Sequence, residues 1–238
     1  MFQIPEKFRL LSGSKLKTIA IITMLIDHAA LVLLYWGVLY ENQPIYEDTP
    51  IYNVCIIYEI MRTIGRIAFP IFCFLLVEGF IHTSNRKNYA MRLLLFAFIS
   101  EIPFDLAVSG EWMAFDSCNV FFTLFIGLLT IWAMNELRDV LPMQILIVIF
   151  GCLLAEFISC DYSFKGIVLI ALLYYFRYDR SMQAIAGGIS LYWEWPAIFA
   201  FIPICMYDGT RGRSTKYFFY IFYPVHLLLL YGISQLIF

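Results

Sequence analysis

Apolar runs of about twenty residues, the length that crosses a bilayer as a helix, alternate along this chain with short polar breaks. The pattern predicts spanning helices near 16–38, 66–82, 89–108, 119–135, 141–158, 164–176, 182–194, 195–207 and 217–237. The seventh and eighth form one long apolar stretch divided at Trp195–Pro196, and 51–65 reads as a partial or interfacial helix leading into the second span. The first run starts near Leu16 and continues past Leu34. It is too long for a signal-peptide core and no small-residue cleavage site follows it, so it is expected to stay as a spanning helix.

Composition agrees with this pattern. The chain is 62% hydrophobic and 14% charged, where a soluble domain is about 45–50% apolar and about 25% charged. The expected fold is all-α: a polytopic membrane helix bundle of about nine transmembrane helices, one domain over residues 1–238, in the cytoplasmic membrane. Cys55, Cys73, Cys118, Cys152, Cys160 and Cys205 are scattered and never spaced as CxxC. They read as small apolar fillers, with Cys118–Cys160 the one pairing left open. No metal and no nucleic-acid partner is expected.

Charge orients the bundle. With the first residues inside, all 16 Lys and Arg residues except Arg62, Arg66 and Lys165 fall on the cytoplasmic side. The outer loops "YENQPIYEDTP" and "SGEWMAFDSC" are acidic. The positive-inside rule therefore makes the N-terminus cytoplasmic, and nine spans put the C-terminal end outside.

Against this background Asp27 and His28 stand out within "IITMLIDHAALVLL". A charge at the bilayer centre costs about 2.5–3.5 kcal/mol on insertion scales, and such residues pair or function. At about 1.5 Å per residue, His28 lies about 16 Å beyond Lys17, and the two share a helix face. Asp27 is rotated by about 100° from His28 and needs a partner on another helix. His226, about ten residues into the last span, and Glu78, about twelve into the second, are expected to share the middle of the bilayer with His28. Arg62 and Arg66 are like charges at i,i+4. Glu101 and Asp105 repeat the spacing with acids, so the two pairs are expected to meet near the outer surface. Each of these residues also has a structural reading, as a satisfied core histidine or part of a salt-bridge network. An inert core has least need of the adjacent Asp27–His28 pair.

The strings "LKTIAIITMLIDHAALVL", "RTIGRIAFPIFCFLLVEGFIHT", "RLLLFAFISEIPFDLA", "NVFFTLFIGLLTI" and "DGTRGRSTKYFFYIFYPVHLLLL" resemble the TraX family, in this order. The likeness is strong in the N-terminal half and the last span, and weak from about 140 to 200. TraX-like proteins are associated with N-terminal acetylation of conjugative pilin. The family is similar in turn to the wider integral-membrane acyltransferases, whose first span carries a basic residue, ten residues, then an essential histidine. Lys17 and His28 match that motif, with lysine where arginine is commoner.

The resemblance implies an acyltransferase, foremost an acetyltransferase, using cytosolic acyl-CoA. Its acceptor would be an amine or hydroxyl of a peptide, glycan or lipid of the envelope or membrane. His28 would act as general base or as a transient acyl carrier, held or tuned by Asp27 and Glu78. Lys17, Arg211, Arg213 and Lys216 would hold the donor acetyl-CoA. The last three lie in "DGTRGRSTK", whose glycines and cations suit a phosphate-cradling loop. Arg62, Arg66, Glu101, Asp105 and His226 would serve the acceptor side. The alternative is a proton- or ion-coupled transporter or flippase using the embedded acids and histidines as a relay. The absence of an internal repeat weighs against it.

Overall fold

The structure, a computed structural model, describes residues 8–114, 116–213 and 216–238, with the backbone alone at Lys216. Helix α1 (Gly13–Ala29) opens on the side chain of Ser12, which caps its first turn, and passes unbroken into a π-wound continuation, Ala30–Leu39. The winding changes two residues after His28. Helix α2 (Pro50–Gly65) has proline in its first turn, where a missing N–H costs nothing. It meets α3 (Ala68–His82) at a break over Arg66 and Ile67.

Helix α4 (Arg86–Val108) is capped by Asn85 and α5 (Val120–Glu136) by Asn119, and α6 (Leu141–Phe157) and α7 (Ser163–Tyr175) follow. Asp179 caps α8 (Arg180–Ser190). A 3-10 segment, Tyr192–Ala200, then leads into α9 (Phe201–Cys205), and α10 (Lys216–Ile237) closes the chain. The expected spans fall on helical segments, the eighth on the 3-10 segment and the five-residue α9 rather than on one helix, and two details change. The division expected at Trp195–Pro196 occurs one residue earlier, at Glu194, whose backbone leaves the helical region (φ −141°, ψ 60°).

The second change matters more. Residues 51–65 are not a partial helix: α2 packs along α1 and its π-wound continuation, so α2 and α3 form one long broken helix. The break lowers Arg62 and Arg66 from the expected outer surface to the depth of Asp27, and carries Glu78 towards the end of the bundle where α1 begins. Gly13–Leu39, Pro50–His82 and Tyr217–Ile237 are each long and apolar enough to cross a membrane. Helices α7 and α8, of 13 and 11 residues, reach only about 20 and 16 Å, short of the hydrocarbon thickness of about 30 Å.

Two sets of contacts define the ends. At the near end, Leu10 and Leu11 N–H donate to Met206 O (2.9 and 3.0 Å), and Gly13 and Ser14 N–H donate to Thr210 O and Arg211 O (2.8 and 3.0 Å). At the far end, the Phe238 ring fills the space that a side chain at Gly37 would need, and the backbones of Cys118 and Cys160 pair in a parallel bridge. The first and last described residues therefore lie at opposite ends.

The centre is built on α3, α5 and α7, with Ile71, Phe74, Leu128, Ile131, Ile170 and Leu173 fully buried. Helix α3 is apolar nearly all round, as a helix surrounded by others must be. Close packing there depends on small residues: a Cβ at Gly166 would sit 2.6 Å from Thr123 Cγ2 and 3.0 Å from both Phe69 Cζ and Tyr162 Cβ. Gly166→Leu is therefore expected to cost about 1–3 kcal/mol by overpacking, read as a lower unfolding temperature in detergent. An unchanged temperature would mean that this interface is looser than described.

Candidate active site

At mid-depth α1 presents Asp27 and His28 in two directions, and each meets a partner on a different helix. Asp27 Oδ2 accepts from Arg62 Nη1 of α2 at 2.5 Å, with both side chains mostly buried. Gly65 makes this approach possible, because a Cβ there would overlap the Asp27 carboxyl. Asp27 thus finds the interhelical partner that its helical phase requires.

His28 Nδ1 lies 2.7 Å from His226 Nε2 of α10. Pro224, with no N–H to donate, loosens α10 just before His226, and His226 Nδ1 lies 2.8 Å from Phe222 O. A carbonyl only accepts, so His226 Nδ1 carries a hydrogen and neutral His226 accepts at Nε2. His28 must then donate from Nδ1, which leaves His28 Nε2 as its unprotonated nitrogen. Aromatic contacts fix both rings. His226 stacks between Phe222 (centroids 4.8 Å apart) and His28 (4.9 Å), and Tyr223 meets His28 edge-on at 6.0 Å.

Beneath this pair, a cavity of about 630 Å³ opens among α1, α3, α4, α5, α10 and the 206–213 loop. Its mouth carries Lys17, Arg92 and Arg211, and its lining reaches Met24, Phe121 and Tyr223. Lys17 lies over the Phe219 ring at 5.2 Å, so Lys17 and His28 both face α10 as their shared phase predicts. Arg92 Nε is buried without a hydrogen-bond partner. The loop is held by Asp208 Oδ1, which accepts from Thr210 N–H and Oγ1–H, both at 2.7 Å. These bonds hold the exposed Asp208 carboxyl below its usual range. The loop carbonyls occupy the Gly13 and Ser14 N–H groups, so an anion at this mouth meets side chains rather than those amides.

The expected residues divide accordingly. Lys17 and Arg211 line the cavity, while Arg213 is exposed and outside its lining. The Lys216 side chain, with Ser214 and Thr215, lies outside the described residues. Glu78 does not join His28 at mid-depth. It lies one turn from the near end of α3, lines the cavity, and is 3.6 Å from both Arg180 Nη2 and His82 Nε2.

The expected pairing of Arg62 and Arg66 with Glu101 and Asp105 does not occur. Arg66 pairs with Glu194 at 2.7 Å. Glu101 instead accepts from the N–H and amide of Asn119, and Asp105 from Ala114 N–H at 3.1 Å. The helix break moves the arginines, and the two acids are used to hold the loop before α5.

Three contributors escaped the sequence reading. Glu194, an acid inside the apolar run "LYWEWPAIF", carried the same signal as Asp27. Arg92 looked like one more cytoplasmic cation. Asp161, in the turn between α6 and α7, is open to the far end but within electrostatic reach of Arg66, Asp27 and Glu194. The protein crowded around it pushes its carboxyl up to about 7. Among the described residues, the buried Asp27 Oδ1 and Glu194 Oε2 have no hydrogen-bond partner, and Asp27 Oδ1 packs against Gly65.

The sequence matches the family described as TraX protein over residues 12–234. It is also 32% identical over 250 residues to a protein of Dichelobacter nodosus described as "Probable fimbrial assembly protein FimC, serogroup H1", covering 92% of this chain and 94% of that protein. No solved structure matches.

The Asp27–Arg62 pair makes a stability prediction. Arg62→Ala strands a buried carboxylate and is expected to cost about 3–5 kcal/mol. The double change Asp27→Asn with Arg62→Gln should recover part of that loss in thermal unfolding. A double variant no more stable than Arg62→Ala would contradict the pairing.

Proposed function

The chain belongs to the TraX protein family, and on that premise we propose that it is a membrane acetyltransferase. It takes an acetyl group from acetyl-CoA at the near end and passes it to an amine presented at the far end. In this reading the near end is cytoplasmic, the number of crossings is odd, and residue 238 is outside. The basic residues clustered towards the near end support that orientation. So does the separation of Leu11 from Phe238.

The observation that carries the reading is the cavity, which joins a cationic mouth to an aromatic ring packed on His28. Its size is within the roughly 300–1,000 Å³ of small-molecule sites. Lys17, Arg92 and Arg211 suit the phosphates of a nucleotide thioester. Met24, Phe121 and Tyr223 suit the uncharged arm. The span from Lys17 to His28, about 16 Å along the helix, fits an extended pantetheine chain leading to the thioester.

The acceptor nitrogen attacks the thioester carbonyl and loses a proton to His28 Nε2. The C–S bond then breaks, and the thiolate takes the proton back from the imidazolium, giving an amide and free CoA. His226 holds the tautomer and offers Nε2 as an acceptor when His28 becomes cationic. An amine is preferred to a hydroxyl because the Asp161 carboxyl, exposed at the rim and raised to about 7, is suited to hold an ammonium and to take the first of its two protons before the free amine attacks. The relative described as a fimbrial assembly protein makes a pilin-type subunit the first acceptor to try.

Two measurements test the reading. Purified protein with labelled acetyl-CoA and an N-terminal peptide amine should yield acetylated peptide. His28→Ala should lose at least about 10²–10⁴-fold in rate while binding acetyl-CoA with unchanged affinity. His226→Gln, which keeps an acceptor for His28 Nδ1–H, should retain more activity than His226→Leu. Near wild-type transfer by a folded His28→Ala variant would end the mechanism and bring the transporter reading forward. Separately, reporters fused after Phe238 should read outside, and reporters at Arg86 inside. A cytosolic signal at residue 238 would make the number of crossings even.

A further inference from the structure

Two of the six cysteines are held backbone to backbone at the far end. Cys118, just before α5, and Cys160, in the turn between α6 and α7, are bridged in parallel. Cys118 N–H donates to Ser159 O at 2.8 Å, and Asp161 N–H donates to Cys118 O at 2.9 Å. Residues opposed in this way have Cα atoms about 4.8 Å apart and side chains on the same side. That separation is inside the range of about 4.4–6.8 Å found across disulfides. Cys160 is buried, Cys118 is half-buried, and both are thiols here. Cys55, Cys73, Cys152 and Cys205 lie on helices, and among the described residues no other pair of cysteines shares a backbone bridge.

The turn itself shows why a covalent tie would be of use. Ser159 and Ser163 both have positive φ, 56° and 51°, a conformation that a non-glycine residue keeps only where its surroundings hold it. Between them lie Asp161 and Tyr162, whose neighbours are Arg66 and Glu194. On the other side of the bridge Asn119 caps α5 and is held by Glu101. The bridge therefore joins the loop before α5 to the turn that walls the far-end cluster.

We propose that Cys118 and Cys160 form a structural disulfide on the outer face, tying the segment 116–119 just before α5 to the α6–α7 turn. The proposal rests on the orientation given above, since only the outer compartment favours disulfides. Both thiols lose their hydrogens, and the two electrons reduce the disulfide of an extracytoplasmic thiol–disulfide oxidase to its dithiol. Burial pushes the Cys118 thiol up to about 12 and the Cys160 thiol up to about 11. Thiolate is therefore scarce in the packed, reduced protein, and closure belongs to the chain before these segments dock. Such a tie is a staple and not a redox shuttle.

The test is made on full-length protein, with cells quenched in N-ethylmaleimide before lysis and the protein digested without reduction. Mass spectrometry should find the Cys118 and Cys160 peptides joined, with both thiols alkylated only after reduction. Cys118→Ser, Cys160→Ser and the double variant should all unfold at the same reduced temperature, because each removes the same bond. Alkylation of both thiols without reduction, or additive losses in the double variant, would overturn the staple. The reporter at residue 238 distinguishes the cause. Free thiols with that reporter outside condemn the staple alone, and free thiols with it inside condemn the orientation as well.

Discussion

The hydrogen-bonded pair of Arg62 and Asp27 governs the middle of this bundle, because neither charge is tolerable there without the other. Its demands run outward through the structure. Asp27 has to leave α1 away from His28, α2 must bring a residue without a Cβ against it at Gly65, and the second helix must break just beyond. That break sets Arg66 beside Glu194, and Glu194 can turn towards it because its own backbone is not helical. Two irregular places, the break beyond Gly65 and the non-helical backbone at Glu194, thus accompany one buried carboxylate.

The histidine pair is built on a different face and serves a different end. His28 and His226 are neutral partners whose hydrogens are fixed by the Phe222 carbonyl, so the chain of donors points one way. The cationic cavity lies on the near side of this pair, and of the carboxylates on the far side Asp161 is the exposed one. The histidine pair thus stands between a cation-lined cavity and a carboxylate cluster.

Much of the frame was legible in the sequence because hydrophobic run length and helical phase are local properties. The apolar runs fell on helices, Lys17 and His28 shared a face, and Asp27 sought its partner elsewhere. What failed was depth. Residues 51–65 have a mixed, one-sided pattern that resembles an interfacial helix, so the second span was started at residue 66 and everything on it was set too high or too low. Arg62 and Arg66 were matched with Glu101 and Asp105 for that reason, and Glu78 was assigned to the middle. Sequence spacing cannot tell a helix break from a helix start. Glu194 is hard to place from sequence for the opposite reason, since its pairing with Arg66 depends on a kink at Glu194 that the apolar run around it does not mark.

The central claim is that donor and acceptor meet at His28 from opposite ends of the bundle. Sealed proteoliposomes holding the protein in one orientation test it most directly, with labelled acetyl-CoA on one side of the membrane and an N-terminal peptide amine on the other. The account predicts that labelled peptide forms when acetyl-CoA is on the side of Lys17 and the peptide on the side of Asp161, and not when the two are exchanged. Transfer that requires donor and peptide on the same side would contradict it.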